Sequence, residues 1–390
     1  MQRTISIENS EYAARVERLQ SAMQELAIDA VLIGTGMNLQ YFSGFHSPPK
    51  SVVRPYFLLI SARRRPVFFT HIAFAAECRR LACVEDIRSY ETLSTVPVDL
   101  IADALYEAGS LLPRVGMELG FEQSLDISPM EFSRLQKALS GIELVDASSM
   151  LWNLRMIKSE VEIECIRQAC DFVDRAYAHT FRSFQPGMNE RDIFRIMQDS
   201  LHKSEGGDTF LVITSGEGNY DLISKPPDDR TVLRGDMVWM DAGCRVQGYW
   251  SDYSRGATFG NPSDLQKEAQ EMIHKVTLDT VAQIRPGMRC SEIAKYALSR
   301  LEHIPFPITS SLSLLAGRVG HGVGLTMTEP PHLGLHDDTI LQPGMVVSIE
   351  PGVATRYGAF HVEENIAVRE NGTELLSKSP RTLVRLGADA

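Results

Sequence analysis

The sequence predicts two domains: an α/β layer domain over residues 1–155, then an α+β domain over residues 156–390 with an internal duplication about a pseudo-twofold axis. Three observations predict this. The chain has 390 residues, more than one ordinary core organises. Its first part alternates amphipathic helices with short apolar strands, the pattern of an α/β layer. Beyond residue 156 the helices lengthen, and the apolar strands that follow carry acids at matched positions.

Apolar residues at Ala13, Val16, Leu19, Met23 and Leu26 recur every three or four positions, which predicts a helix over Ser10–Leu26. The run Ala30–Ile33 predicts a strand closed by Gly34-Thr35-Gly36. Tyr56–Ile60 and Pro66–Phe69 predict two more, joined by the basic turn Ala62-Arg63-Arg64-Arg65, which reads as a solvated turn. Helices are expected near Ala73–Leu81 and Val98–Glu107, and strands at Val115–Glu118 and Glu143–Val145. Ser159 with Glu162 forms a capping-box pattern that opens the second domain.

The duplication shows in repeated punctuation. Gln185-Pro186-Gly187-Met188 returns as Arg285-Pro286-Gly287-Met288. Gly235 precedes Asp241 by six residues through Met237-Val238-Trp239-Met240, and Gly344 precedes Glu350 by six through Val346-Val347-Ser348-Ile349. A second acid follows in each half, Asp252 and Glu363. Each half therefore reads as helix, Pro-Gly turn, helix, then two strands bearing an acid each, and a twofold arrangement would gather four acids at one point.

An acid beside an apolar strand is costly unless something neutralises it. Apart from Arg255, no lysine or arginine lies within a few residues of these four. Taken singly, each acid is as well explained by an ion pair; taken together with His321, they suit divalent cations. His321 sits in Val319-Gly320-His321-Gly322-Val323-Gly324, where flanking glycines permit close approach to the ring. Two such ions can lower the pKa of a water and polarise a carbonyl.

Composition narrows the partners. A net charge of −11 argues against a general nucleic-acid or anionic-membrane binder. No apolar run approaches membrane-helix length, and residues 1–11 lack an apolar leader core, so a cytoplasmic protein is expected. Six cysteines without a C-x-x-C pair are expected as buried free thiols.

Asp241 and Asp252, then Gly320-His321-Gly322-Val323-Gly324-Leu325 with Glu329-Pro330-Pro331, then Ile349-Glu350-Pro351-Gly352 and Val362-Glu363, resemble in order and spacing the pita-bread metallopeptidases, which include prolidase, aminopeptidase P and methionine aminopeptidase. The N-terminal domain resembles that of creatinase and prolidase. The resemblance implies two divalent ions, manganese first, with cobalt, zinc or iron as substitutes. Asp241 would bind one, His321 and Glu350 the other, and Asp252 and Glu363 would bridge. It also implies a bridging hydroxide that attacks an amide carbonyl of a short Xaa-Pro-like peptide, Glu350 as proton acceptor, and a homodimer in which Arg54, after Ser51-Val52-Val53, reaches the partner's site.

Departures from the family pattern fall around the substrate. The prolidase pattern has histidine at the positions of Ser224 and Thr328 and arginine at His361. Ser224, Thr328, His332 and His361 are therefore the candidate substrate-binding residues. Two alternatives stay open: the same metal centre acting on a small non-peptide compound, as in ectoine hydrolase or a dimethylsulfoniopropionate lyase, and a non-catalytic binding module on the same fold.

Overall fold

The structure is a computed structural model that describes residues 5–34, 36–46, 54–93, 95–109, 114–203 and 208–387. Two compact units divide the chain, one spanning Ser6–Arg155 and the other beginning at Met156.

The first unit is built on a six-stranded mixed sheet. Its strands are β1 (Ala30–Ile33), β2 (Phe57–Ser61), β3 (Val67–His71), β4 (Asp86–Tyr90), β5 (Arg114–Met117) and β6 (Glu143–Asp146), in the order β4-β3-β2-β1-β5-β6. Buried Leu32, Phe57, Leu59, Phe69, Ile101, Leu105, Val115 and Leu135 form a core between this sheet and its helices. Every predicted element of this unit forms within two residues of its expected bounds, the helix expected from Ala73 starting at Ala75 after a short 3₁₀ turn. Four elements were not expected. The helix Met37–Ser43 is buried almost all round, so it shows no amphipathic period. Strand β4 is a half-buried edge strand of sequence DIRSY, polar enough to resemble a loop. The helices Pro129–Ala138 and Ser148–Met156 complete the set. Thr35 and Ser51–Val53 lie outside the described residues; Arg54 stacks its guanidinium over the Phe74 ring at 5.8 Å.

The second unit repeats itself. Helices Glu160–Ser183 and Glu190–Lys203 open the first half; Asp264–Gln283 and Cys290–Leu301 open the second. In the capping box, the Ser159 N–H donates to Glu162 at 2.8 Å. The two Pro-Gly turns place Gly187 and Gly287 at φ 94° and 89°, in the left-handed region that glycine alone enters without strain. Backbone hydrogen bonds match across the halves. Val232 N–H donates to Met188 O, and Leu341 N–H to Met288 O; Gly235 N–H donates to Phe259 O, and Gly344 N–H to Val368 O, all within 2.8–3.0 Å.

Three sheets follow from this. One contains β7 (Thr209–Ser215), β8 (Met237–Val246), β9 (Tyr249–Trp250), β10 (Tyr253–Phe259) and the C-terminal strand Val384–Leu386, ordered with β8 between β7 and β10. A second pairs β11 (Ser310–Ser311) through β15 (Gly352–Thr355) with β16 (Gly358–His361). The third runs β13-β12-β14-β17-β18, from Glu329–His332 through His321–Gly322, Val346–Ile349 and Glu364–Arg369 to Gly372–Leu375. The strands expected to carry the acids form: Asp241 lies within β8, and Asp252, Glu350 and Glu363 each occupy the residue next to a strand end.

All six cysteines are free, with Cys83 half-buried and the other five buried. Among the described residues no helix is long and apolar enough to cross a membrane.

Candidate metal centre

Asp241 stands in the middle of β8, opposite Val212 on β7 and Ser254 on β10, with buried Met240 and Ala242 on either side. Asp252 precedes β10. Its backbone is gripped on both sides by Asn365, whose Oδ1 accepts from the Asp252 N–H at 2.8 Å while its amide donates to the Asp252 carbonyl. Donor atoms of Asp252, His321 and Glu363 lie within 4.8 Å of one another. His321 Nε2 is 3.5 Å from Asp252 Oδ2 and 3.7 Å from Glu350 Oε1. Asp241 meets the Asp252 and Glu363 side chains, so the five residues singled out in the sequence gather at one place.

The electrostatics follow from burial. Asp241 is pushed up to about 6 and Glu350 to about 7, in both cases by desolvation first. Asp252 and Glu363 rise well above the carboxylate range, through burial and then the negative charge of their neighbours. Burial and the Arg318 charge push His321 down to about 3, which keeps the imidazole neutral. Its Nδ1–H faces the Gly322 carbonyl at 2.9 Å, so Nε2 presents its lone pair to the acids.

Asp241 Oδ1, Asp252 Oδ1 and both carboxylate oxygens of Glu363 are buried without a hydrogen-bond partner among the described residues. A low-dielectric cluster of acids with unmatched oxygens and one neutral imidazole fits divalent cations as its counter-charge.

Glycine makes the approach possible. A Cβ on Gly320 would lie 2.2 Å from Ser348 O, and one on Gly322 would lie 2.3 Å from Pro330 O. Gly322→Ala must therefore push the strands beside His321 apart. We expect it to cost about 2–4 kcal/mol by overpacking and strain and to weaken metal uptake at least about tenfold. Thermal melts and metal titration check this; a variant with wild-type values would remove the steric account.

The candidate substrate residues divide. His361 is buried at the end of β16; its Nδ1 meets Ser254 Oγ at 2.7 Å, its Nε2 is 3.8 Å from Glu350 Oε2, and its ring packs edge-on to Trp239. Thr328 and His332 both contact Arg318, described below. Ser224 is exposed in the turn after β7, and among the described residues no hydrogen bond or ion pair joins it to the others. Its neighbour Lys225 anchors that turn to buried Glu190. Glu329 forms a buried ion pair with Lys158 at 2.8 Å.

Two partners were not foreseen. Arg318 donates from Nε to Glu350 Oε1 at 3.3 Å, so Glu350 has a cation after all, from 32 residues away. Glu364, adjacent to Glu363, turns away from the cluster and pairs with Arg255 at 2.9 Å and Arg381 at 2.8 Å. Arg255 lies in Tyr253–Phe259, a strand bounded by aromatic residues and buried throughout, where a cation needs a buried acid. Nothing comparable marked Arg318.

Comparison with known proteins bears on this geometry directly. Residues 164–370, more than half of the chain, match the model for metallopeptidase family M24, and residues 15–157 match the creatinase/prolidase N-terminal domain. The chain belongs to metallopeptidase family M24. It is 28% identical over 375 residues to an Xaa-Pro dipeptidase of Pyrococcus horikoshii, covering 95% of this chain and 98% of that one. A second Xaa-Pro dipeptidase, from Pyrococcus furiosus, is 27% identical over 373 residues, with 95% and 99% covered. Among solved structures, an Xaa-Pro dipeptidase from Bacillus anthracis superposes with a TM-score of 0.83 at 26% identity, covering 96% of this chain and all of that one. As an M24 member the chain is a metal-dependent peptidase with a pita-bread catalytic fold.

Proposed function

We propose that this M24 peptidase cleaves the amide bond of short Xaa-Pro-like peptides, with two divalent cations, manganese foremost, held by Asp241, Asp252, His321, Glu350 and Glu363. The observation that carries the proposal is the set of buried, unpartnered carboxylate oxygens converging with His321 Nε2. Cations bound there supply Lewis acidity and an activated water.

The chain's own groups do the rest. His321 stays neutral and presents Nε2. Asn365 fixes the Asp252 backbone without touching its carboxylate, which leaves both oxygens for ligation. Glu350 lies between Arg318 and His361, at the edge of the cluster nearest the candidate substrate residues, and is placed to accept a proton at a carboxylate oxygen. Hydrolysis adds the oxygen of water to the acyl carbon and delivers a proton to the departing nitrogen, so a proton carrier beside the carbonyl is required.

The named relatives with an assigned activity are dipeptidases, which favours a peptide over a small non-peptide compound. Retention of a full ligand set favours catalysis over a binding module. The test is a panel of Xaa-Pro dipeptides with manganese-loaded protein, scored by released proline, beside dipeptides lacking proline. We expect turnover confined to, or at least about tenfold faster on, the proline series. No cleavage of any member by fully metallated protein would end this assignment.

A further inference from the structure

Arg318 is the one described cation in hydrogen-bonding contact with a metal-site carboxylate side chain, and its position is unusual. Its guanidinium forks three ways: Nε to Glu350 Oε1 at 3.3 Å, Nη1 to His332 Nδ1 at 3.4 Å, and Nη2 to Thr328 Oγ1 at 3.5 Å. Around it the cluster is acidic, with Asp241, Asp252, Glu350 and Glu363 gathered close to His321.

The three contacts engage at most three of the five N–H groups a guanidinium carries. The Arg318 side chain keeps 25% of its surface exposed, against 13% for Glu350 and 2% for His321. Arg318 therefore stands where the buried acids meet solvent, with two N–H groups uncommitted among the described residues. A planar cation pinned by three partners is a pre-organised donor for an oxygen that gains negative charge. Its backbone is anchored as well: Arg318 N–H donates to Ser313 O, and the Glu350 N–H donates to the carbonyl of the next residue, Val319, at 2.8 Å. Cation and proton acceptor are thus fixed to one another through both main chain and side chain.

We propose that Arg318 is a catalytic residue of this peptidase. Its guanidinium donates to the substrate carbonyl oxygen as that oxygen becomes an oxyanion, and Thr328 and His332 hold the fork in place. The inference rests on the peptidase function proposed above and adds to it the group that stabilises the developing charge.

The experiment compares steady-state kinetics of metal-loaded wild type, Arg318→Gln and Arg318→Lys on the best Xaa-Pro dipeptide, with metal content measured for each. Arg318→Gln is expected to lower kcat about 10²–10³-fold, as loss of an oxyanion donor does, with KM changed less than about threefold and metal stoichiometry retained. Arg318→Lys, which keeps the charge but not the fork, should retain an intermediate kcat. Added guanidinium ion in the millimolar range should restore part of the kcat of Arg318→Gln. An unchanged kcat overturns the inference, as does an effect confined to KM. Loss of activity that tracks loss of metal also overturns it, because Arg318 would then serve only to hold Glu350. If Arg318→Gln fails to fold, the kcat of Arg318→Lys and its response to guanidinium decide. If wild type itself cleaves no Xaa-Pro peptide, the Xaa-Pro assignment fails and this inference falls with it; if wild type is active and Arg318→Gln equals it, only the inference fails.

Discussion

Asp252→Asn will abolish the response of this protein to divalent metal and, in metal-free protein, will raise its stability. Both effects come from one arrangement. Asp252 is buried, its Oδ1 has no hydrogen-bond partner among the described residues, and burial with the charges of Asp241 and Glu350 drives its pKa well above the usual range. Without a cation the folded chain must either hold that charge beside other acids or keep a proton on it, and both oppose folding. An amide of the same shape removes the charge. The Asn365 clamp is untouched because it binds the backbone of residue 252. We expect metal-free Asp252→Asn to gain on the order of 1–3 kcal/mol. With metal the order reverses. Wild type at free metal a hundredfold above its Kd gains about 2.7 kcal/mol, and the variant gains almost none. Peptidase activity should drop at least about 10³-fold, the equivalent of several kcal/mol of transition-state stabilisation. Melts of stripped and manganese-loaded protein check all of this. A metal-free variant less stable than metal-free wild type would show that these acids are satisfied by something other than a cation.

The candidate metal ligands were legible in the sequence because their environment was wrong for acids. Met237-Val238-Trp239-Met240 and Val346-Val347-Ser348-Ile349 are core strands, and Asp241 and Glu350 sit on or next to them. The duplication was legible because both halves use the same glycine turns, and the structure adds equivalent hydrogen bonds in each half, Val232 to Met188 and Leu341 to Met288, Gly235 to Phe259 and Gly344 to Val368. What stayed hidden depends on side-chain direction across long separations. Arg318 lies beside His321 in sequence, yet it spends its donors on Glu350, Thr328 and His332. Glu363 and Glu364 are chemically alike neighbours. Strand periodicity sends adjacent residues to opposite faces, but it cannot say which face the first takes when the strand begins between them. Ser224 is a candidate only through its alignment with a family histidine, and the turn that carries it is exposed.

Arg255→Ala will be among the most destabilising single substitutions in the catalytic unit. Arg255 and Glu364 are 1% and 0% exposed and pair at 2.9 Å. The same guanidinium donates to the carbonyls of Ser254 at 2.8 Å, Glu363 at 2.7 Å and Ser379 at 3.2 Å. Truncation would strand three buried carbonyls and leave Glu364 with Arg381 as its remaining cation. Breaking one partner of a buried pair typically costs about 3–5 kcal/mol. The loss should not be confined to stability. The Glu363 carbonyl is one of the acceptors released, and neither Glu363 carboxylate oxygen has a hydrogen-bond partner among the described residues. Metal affinity should therefore fall about 10–100-fold, the range for losing an outer-shell support. Glu364→Gln separates the two consequences. It removes the charge but keeps an acceptor for Arg255 and leaves the Glu363 carbonyl bonded, so it should destabilise while largely sparing metal binding. Denaturant midpoints and metal titrations on both variants test the distinction. If Arg255→Ala unfolds within 1 kcal/mol of wild type, or Glu364→Gln loses metal as readily as it does, then Arg255 does not set the position of Glu363.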